Sequence, residues 1–77
     1  MRQSQDRERL LLQIRLASGA TDAEALKEWL WLSGKAAAAG MPLLELWTIY
    51  QGSLLVGHST LAGRQSVEGA LAGRPAV

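Results

Sequence analysis

A helix start is written at Thr21-Asp22-Ala23-Glu24, and no other stretch of the chain limits its possible folds as much. A threonine at the N-cap accepts a hydrogen bond from the amide three residues on, and a glutamate there reaches back to the threonine's own amide. Ala25, Leu26, Trp29, Leu30 and Leu32 follow at helical spacing, with Lys27 and Glu28 assigned to the solvent side. Gly40 is a strong stop, because glycine accepts the left-handed conformation that ends helices. Between these points Ser33-Gly34 leaves two readings open. Either one helix continues to Ala39, or the first ends at Leu32 and Ser33 caps a short helix over 34–39.

The same reasoning extends in both directions. Upstream, Leu10, Ile14 and Ala17, with Leu12 and Leu16 alongside, predict an amphipathic helix from Ser4 to Ala17. Asp6 and Glu8 fall near its positive N-terminal end, and Ser18-Gly19 closes it. Downstream, Pro42 suits a first helical turn, where its missing N–H costs nothing. Leu43, Leu44, Leu46, Trp47, Ile49 and Tyr50 then make a short helix that is apolar nearly all round. Ser53 to Val56 reads as an extension of that helix, a turn or a short strand. From Ser59 onward, Ala62, Ser66 and Ala70 are four apart and would let a helix approach its neighbour closely, with residues 74–77 a frayed tail.

Composition agrees with a helical reading. Fourteen leucines and twelve alanines stand against eight Val, Ile and Thr residues. A chain of 77 residues without cysteine has neither disulfides nor thiolate metal sites to reinforce a small core. The expected architecture is therefore a single all-α domain over 1–73, a small bundle of four or five short helices. Its core is expected from Leu10, Ile14, Leu26, Trp29, Leu30, Leu46 and Ile49.

The same residues argue against several function classes. The net charge of +1 is too small for a polybasic nucleic-acid coat. Gln13 and Arg15 interrupt the leucine run that a secretory signal would need, and residues 36–57 carry Glu45, Gln51 and Pro42, too polar for a membrane span. A cytoplasmic location is the expectation. His58 is the only histidine; Ser53, Ser59 and Ser66 lie nearby, but Glu68 is the only carboxylate of the C-terminal third, short of a triad or a zinc site. The glycines at 52, 57, 63, 69 and 73 lack phosphate-loop spacing. The expectation is a non-enzyme with no cofactor, no metal and no small-molecule substrate.

Ala36, Gly40, Met41, Leu46, Ile49 and Gly52 together resemble the helix-turn-helix of phage-repressor-type domains. On that resemblance Ala36 is the small residue of the first helix, Gly40 the turn and Met41 its apolar follower. Leu46 and Ile49 are then the packing pair of the recognition helix, and Gly52 closes that helix. It covers residues 33–52, or about thirty residues if Asp22 to Leu32 forms the preceding helix. The resemblance implies a DNA-binding regulator with Lys35, Trp47, Thr48 and Gln51 near the duplex and Arg2, Arg7 and Arg9 on phosphates. The residues facing DNA would be Pro42, Leu43, Leu44, Glu45, Trp47 and Thr48, a set with one acid and no cation.

That apolar face fits a protein partner better. The chain has three tryptophans, one tyrosine and no phenylalanine. Trp29 and Trp31 are two apart, about 200° around a helix, so both cannot face one small core. Trp and Tyr are the usual anchors of interaction surfaces. The leading expectation is thus an interaction protein that docks on a protein partner or on itself through Leu43, Leu44, Trp47, Tyr50 and Trp31. DNA reading is the alternative.

Overall fold

The computed structural model describes residues 2–73, with side chains described from Arg7 onward. It is an all-α bundle with four helices among the described residues: α1 (Arg2–Ser18), α2 (Asp22–Ala39), α3 (Leu43–Gly57) and α4 (Thr60–Ala72). Residues 74–77, read above as a frayed tail, lie outside the described part. So do the side chains of Arg2 and Asp6.

Each connection is short and has a local chemical cause. Ser18 Oγ donates to the Ile14 carbonyl at 2.6 Å, and Gly19, left-handed at φ 72°, donates its N–H to Arg15. Thr21 then caps α2: its Oγ1 accepts from the Glu24 amide at 3.1 Å, and the Glu24 carboxylate accepts from the Thr21 amide at 2.9 Å. Those two bonds, backbone first, hold the Glu24 carboxyl below its ordinary pKa. α2 runs unbroken through Ser33-Gly34, which decides the open question above and leaves no separate helix before the one that ends at Ala39. It ends as expected at Gly40, left-handed at φ 66°, followed by the Met41 amide bonded back to Ala36.

Pro42 precedes α3 in extended backbone, and Ser53 to Val56 is helix. Gly52 therefore lies inside α3, and His58, left-handed at φ 51°, ends it. The Ser59 hydroxyl, accepting from the Leu61 amide at 3.1 Å, starts α4.

α3 packs against the other three helices and carries the centre of the core: Leu46, Trp47, Tyr50 and Leu54 are buried, joined by Leu10, Ile14, Ala25, Leu32, Ala36 and Val67. Leu10, Ile14 and Leu46 are where the sequence reading places them, while Trp29 and Ile49 are only partly buried. Leu26 and Leu30 are corrections, since both are exposed. The face of α2 that turns inward is Ala25, Glu28, Leu32 and Ala36, spaced three, four and four. Alanines at two of those positions let α2 come close to its neighbours, which leucines would prevent.

Close approach is also the rule between α3 and α4. A Cβ on Gly63 would lie 2.8 Å from Cδ2 and Cε2 of the Tyr50 ring, so only glycine lets α4 rest on that ring. The Ser53 and Ser66 hydroxyls bond to each other across the same seam. Ala62 and Ala70 are half-buried beside it, so the contact face includes the small residues expected, with Gly63 and Val67 at its centre. The whole is a slab of 36 × 31 × 17 Å, thin enough that the outer sides of α1 and α3 stay uncovered.

Candidate functional site

Among the described residues two features go beyond simple packing: a polar network buried inside, and an uncharged face outside. The network begins at Glu28, only 6% exposed. Its Oε1 accepts from the Tyr50 hydroxyl at 2.8 Å and from Arg64 Nε at 2.9 Å, and Arg64 Nη2 bonds Oε2. One carboxylate thus ties α2 to α3 and α4. Burial first, then the bond to Glu28 and its negative charge, push the Tyr50 hydroxyl far above its ordinary pKa. The bond to Glu28 raises Arg64 as well.

The Arg64 guanidinium also lies 4.7 Å from the centre of the Trp31 ring, and Lys35 Nζ lies 5.6 Å from it. Lys35 reaches Glu68 at 3.5 Å in addition. Trp31 is therefore half-buried beneath two cations, held by cation–π attraction at the rim of the core. Trp29 occupies another part of that rim. Neither tryptophan faces the centre, in keeping with their 200° separation.

The expected anchors separate on inspection. Tyr50 is fully buried and Trp47 nearly so, their rings stacked with centroids 5.8 Å apart. They are core residues, and their expected place on an exposed docking surface is corrected. The physical reason for Tyr50 is that α2 and α4 both close on it, Glu28 accepting from its hydroxyl and Gly63 resting on its ring. Leu43 is half-buried against the core and Leu44 is 63% exposed. Of the residues named for DNA, Lys35 is engaged as above, Gln51 is bonded to Gln13, and the Thr48 hydroxyl donates to Leu44 O at 2.9 Å. Arg7 and Arg9 are exposed.

The outward face lies on α1 and α3. Leu12 and Leu16, one turn apart on α1, are 49% and 77% exposed; Leu44 and Leu55 on α3 are 63% and 52% exposed. Leu44, Thr48, Gln51 and Leu55 fall on one stripe by their spacing of four, three and four. Leu16, Ala17, Leu54 and Leu55 line a groove of about 380 Å³ between the two helices, with Gln13 and Gln51 also on its wall. The Gln51 Nε2 donates to Gln13 Oε1 at 2.8 Å and fixes the register of α1 on α3. The lining of this groove carries no ionisable side chain, whereas Leu12 lines a second groove beside Glu8, Arg15 and Asp22.

Two of these features were hidden in the sequence. Glu28 is assigned outward there because it is charged, although its spacing from Ala25 and Leu32 is that of a core position. Leu12 and Leu16 are absorbed there into an apolar stripe that contains more leucine than the core has room for, and Leu55 falls in the segment 53–56, which the sequence leaves open. Among the described residues no group of three or more His, Cys, Asp or Glu is placed to hold a metal ion, and no helix is long and apolar enough to cross a membrane. In comparisons with known proteins, no family model, curated protein or solved structure matches the chain.

Proposed function

We propose that the chain is a small non-enzymatic interaction module whose docking surface is the uncharged face of α1 and α3. The observation that carries the reading is that Leu16 and Leu55, 77% and 52% exposed, line one groove with Gln13, Ala17, Gln51 and Leu54, a lining without an ionisable side chain. With Leu44 on the same stripe of α3 as Leu55, these leucines expose on the order of 300 Å² of apolar surface, the size of the largest patch on a typical monomer, which is often functional. Leu26 and Leu30 on α2, Val56 on α3 and Leu61 on α4 are exposed elsewhere, and scattered apolar side chains need no partner.

A photo-crosslinking residue in place of Leu16 or Leu55, in the producing cell, tests the reading. Covalent protein adducts are expected from both positions and not from Gln65, exposed on α4. No adduct from 16 and 55, or equal yield from 65, refutes it.

A DNA-reading module is the second proposal. It is supported by the left-handed turn at Gly40 and by the burial of Ala36 and Leu46 on either side of it. It would depend on Arg7 and Arg9 for phosphate contacts, because Lys35 and Gln51 already have intramolecular partners. Titration with duplex DNA at low salt should then show binding that weakens steeply as salt is raised. Flat titration curves remove this proposal.

A further inference from the structure

We infer that α4 exchanges between two copies of this chain, with His58-Ser59 as the hinge; the inference is independent of the docking face. The three turns of the chain are closed in different ways. Gly19 ends α1, left-handed at φ 72°, and its N–H bonds the Arg15 carbonyl at 2.8 Å. Gly40 ends α2 at φ 66°, with its own N–H on Ala37 and that of Met41 on Ala36. His58 holds the third such position at φ 51°, the one non-glycine residue in the left-handed region among the described residues. There a Cβ costs conformational energy that glycine avoids. Among the described residues no backbone bond from His58 or Ser59 returns to α3. The turn between α3 and α4 is thus the shortest of the three, and it is strained and unsealed.

A straight path through this turn removes both defects. The last carbonyls of α3 and the first amides of α4 lack helical partners. A helix continued from Leu43 to Ala72 pairs them and returns His58 to a helical φ. Two features oppose that path and hold the closed form at low concentration. Ser59 gives up its hydroxyl bond to the Leu61 amide, and Gly57 weakens a continuous helix. The closed turn needs that glycine, since a Cβ on it would lie 2.8 Å from the Ala62 Cβ. Short hinges under strain favour the exchange of an element between copies.

The attachment of α4 suits such an exchange. Its named contacts all run to α2 and α3: Gly63 on the Tyr50 ring, Ser66 on Ser53, Arg64 on Glu28 and Glu68 on Lys35. In each pair one residue precedes the hinge and the other follows it, so the α4 of a second copy remakes every contact. An α4 that only detaches is not a stable alternative. Glu28, 6% exposed, would lose its cation, and Tyr50 would lose the helix that rests on its ring. Opening is therefore coupled to exchange. The product is a two-fold dimer in which the Arg64 of each copy completes the Glu28–Tyr50 network of the other.

The test uses the full chain with Ser53→Cys and Ser66→Cys together, because those hydroxyls already meet across the seam and the chain has no cysteine of its own. The protein is unfolded, refolded at micromolar or at millimolar concentration, oxidised, and run on a non-reducing denaturing gel. Refolding at micromolar concentration is expected to give a monomer with an internal disulfide. At millimolar concentration a dimer joined by disulfides between chains is expected. Sedimentation velocity of the refolded chain without cysteines should show the same dimer, which keeps the test decisive where the double variant does not fold. His58→Gly relieves the hinge in both copies and should lower the dimerisation constant at least about tenfold, whereas His58→Ala, a better helix former, should raise it. A chain that stays monomeric after millimolar refolding, with or without His58→Ala, overturns the inference. So does a dimer whose disulfides are all internal, or one that His58→Gly leaves unchanged.

Discussion

Glu28→Met probes the interior network most directly. In the native protein a carboxylate 6% exposed accepts from Tyr50 and from Arg64. Methionine fills a similar volume but offers only a weakly accepting thioether, so the fully buried Tyr50 hydroxyl loses its carboxylate partner at a cost of about 1–3 kcal/mol. Arg64 also loses its counter-ion, but its side chain is 30% exposed and can recover part of its hydration. The full 3–5 kcal/mol for breaking a buried pair is therefore an upper bound, and about 3–4 kcal/mol for both effects together is expected. On a domain this size that lowers the melting temperature by roughly 15–25 °C. Tyr50→Phe alone removes one bond to a charged acceptor and should cost about 1.5 kcal/mol, since Glu28 keeps Arg64. In the Glu28→Met background, by contrast, Tyr50→Phe removes an orphaned hydroxyl and should be neutral or restoring. Urea unfolding of the four proteins, followed by helical circular dichroism, gives the coupling energy, expected at about 1.5–3 kcal/mol. Additivity within about 0.5 kcal/mol would show that the hydroxyl does not depend on Glu28, and the account of the network would fail.

Two further predictions concern Tyr50 and the glycines. Tyr50 is the only tyrosine, and its pKa in the folded chain is raised above the unfolded value of about 10. Above that pH the unfolded chain releases a proton that the folded one keeps, so this contribution to stability is complete below about pH 10 and declines by about 1.4 kcal/mol per pH unit beyond it. Tyrosinate absorbance should rise together with loss of helix; a rise near pH 10 with the helix intact would contradict the burial. Among the glycines, Gly34→Ala inside α2 meets open space and should stabilise by about 0.5–1 kcal/mol. Gly63→Ala drives a methyl into the Tyr50 ring and should destabilise by about 1–3 kcal/mol, so equal signs for these two substitutions in chemical denaturation would refute the packing at that seam.

Local chemistry made the punctuation of this fold legible in advance, and long-range packing made the core much less so. The capping box at Thr21, the left-handed turns at Gly19 and Gly40 and the closure of α1 at Ser18 each depend on residues a few positions apart. Ser33-Gly34 left two readings open and Gly52 stood as a helix end; a glycine inside a helix weakens it by only about 1 kcal/mol, which packing on the opposite face outweighs. Which face of α2 turns inward depended on the distance between helices, a quantity that hydrophobicity does not encode. Leu26 and Leu30 are more apolar than Ala25 and Ala36, yet the alanines are buried because α2 lies close to its neighbours. Glu28 on that inward face is then compatible only because Tyr50 and Arg64 arrive from α3 and α4, 22 and 36 residues further on. The same closeness explains the candidate surface. Helices that touch through alanine, glycine and a paired carboxylate leave no room for all fourteen leucines, and those left outside on α1 and α3 include the residues of the proposed docking face. An exterior of this kind follows from an interior built of small and polar contacts, so the Glu28 network and the leucine face are consequences of one packing choice.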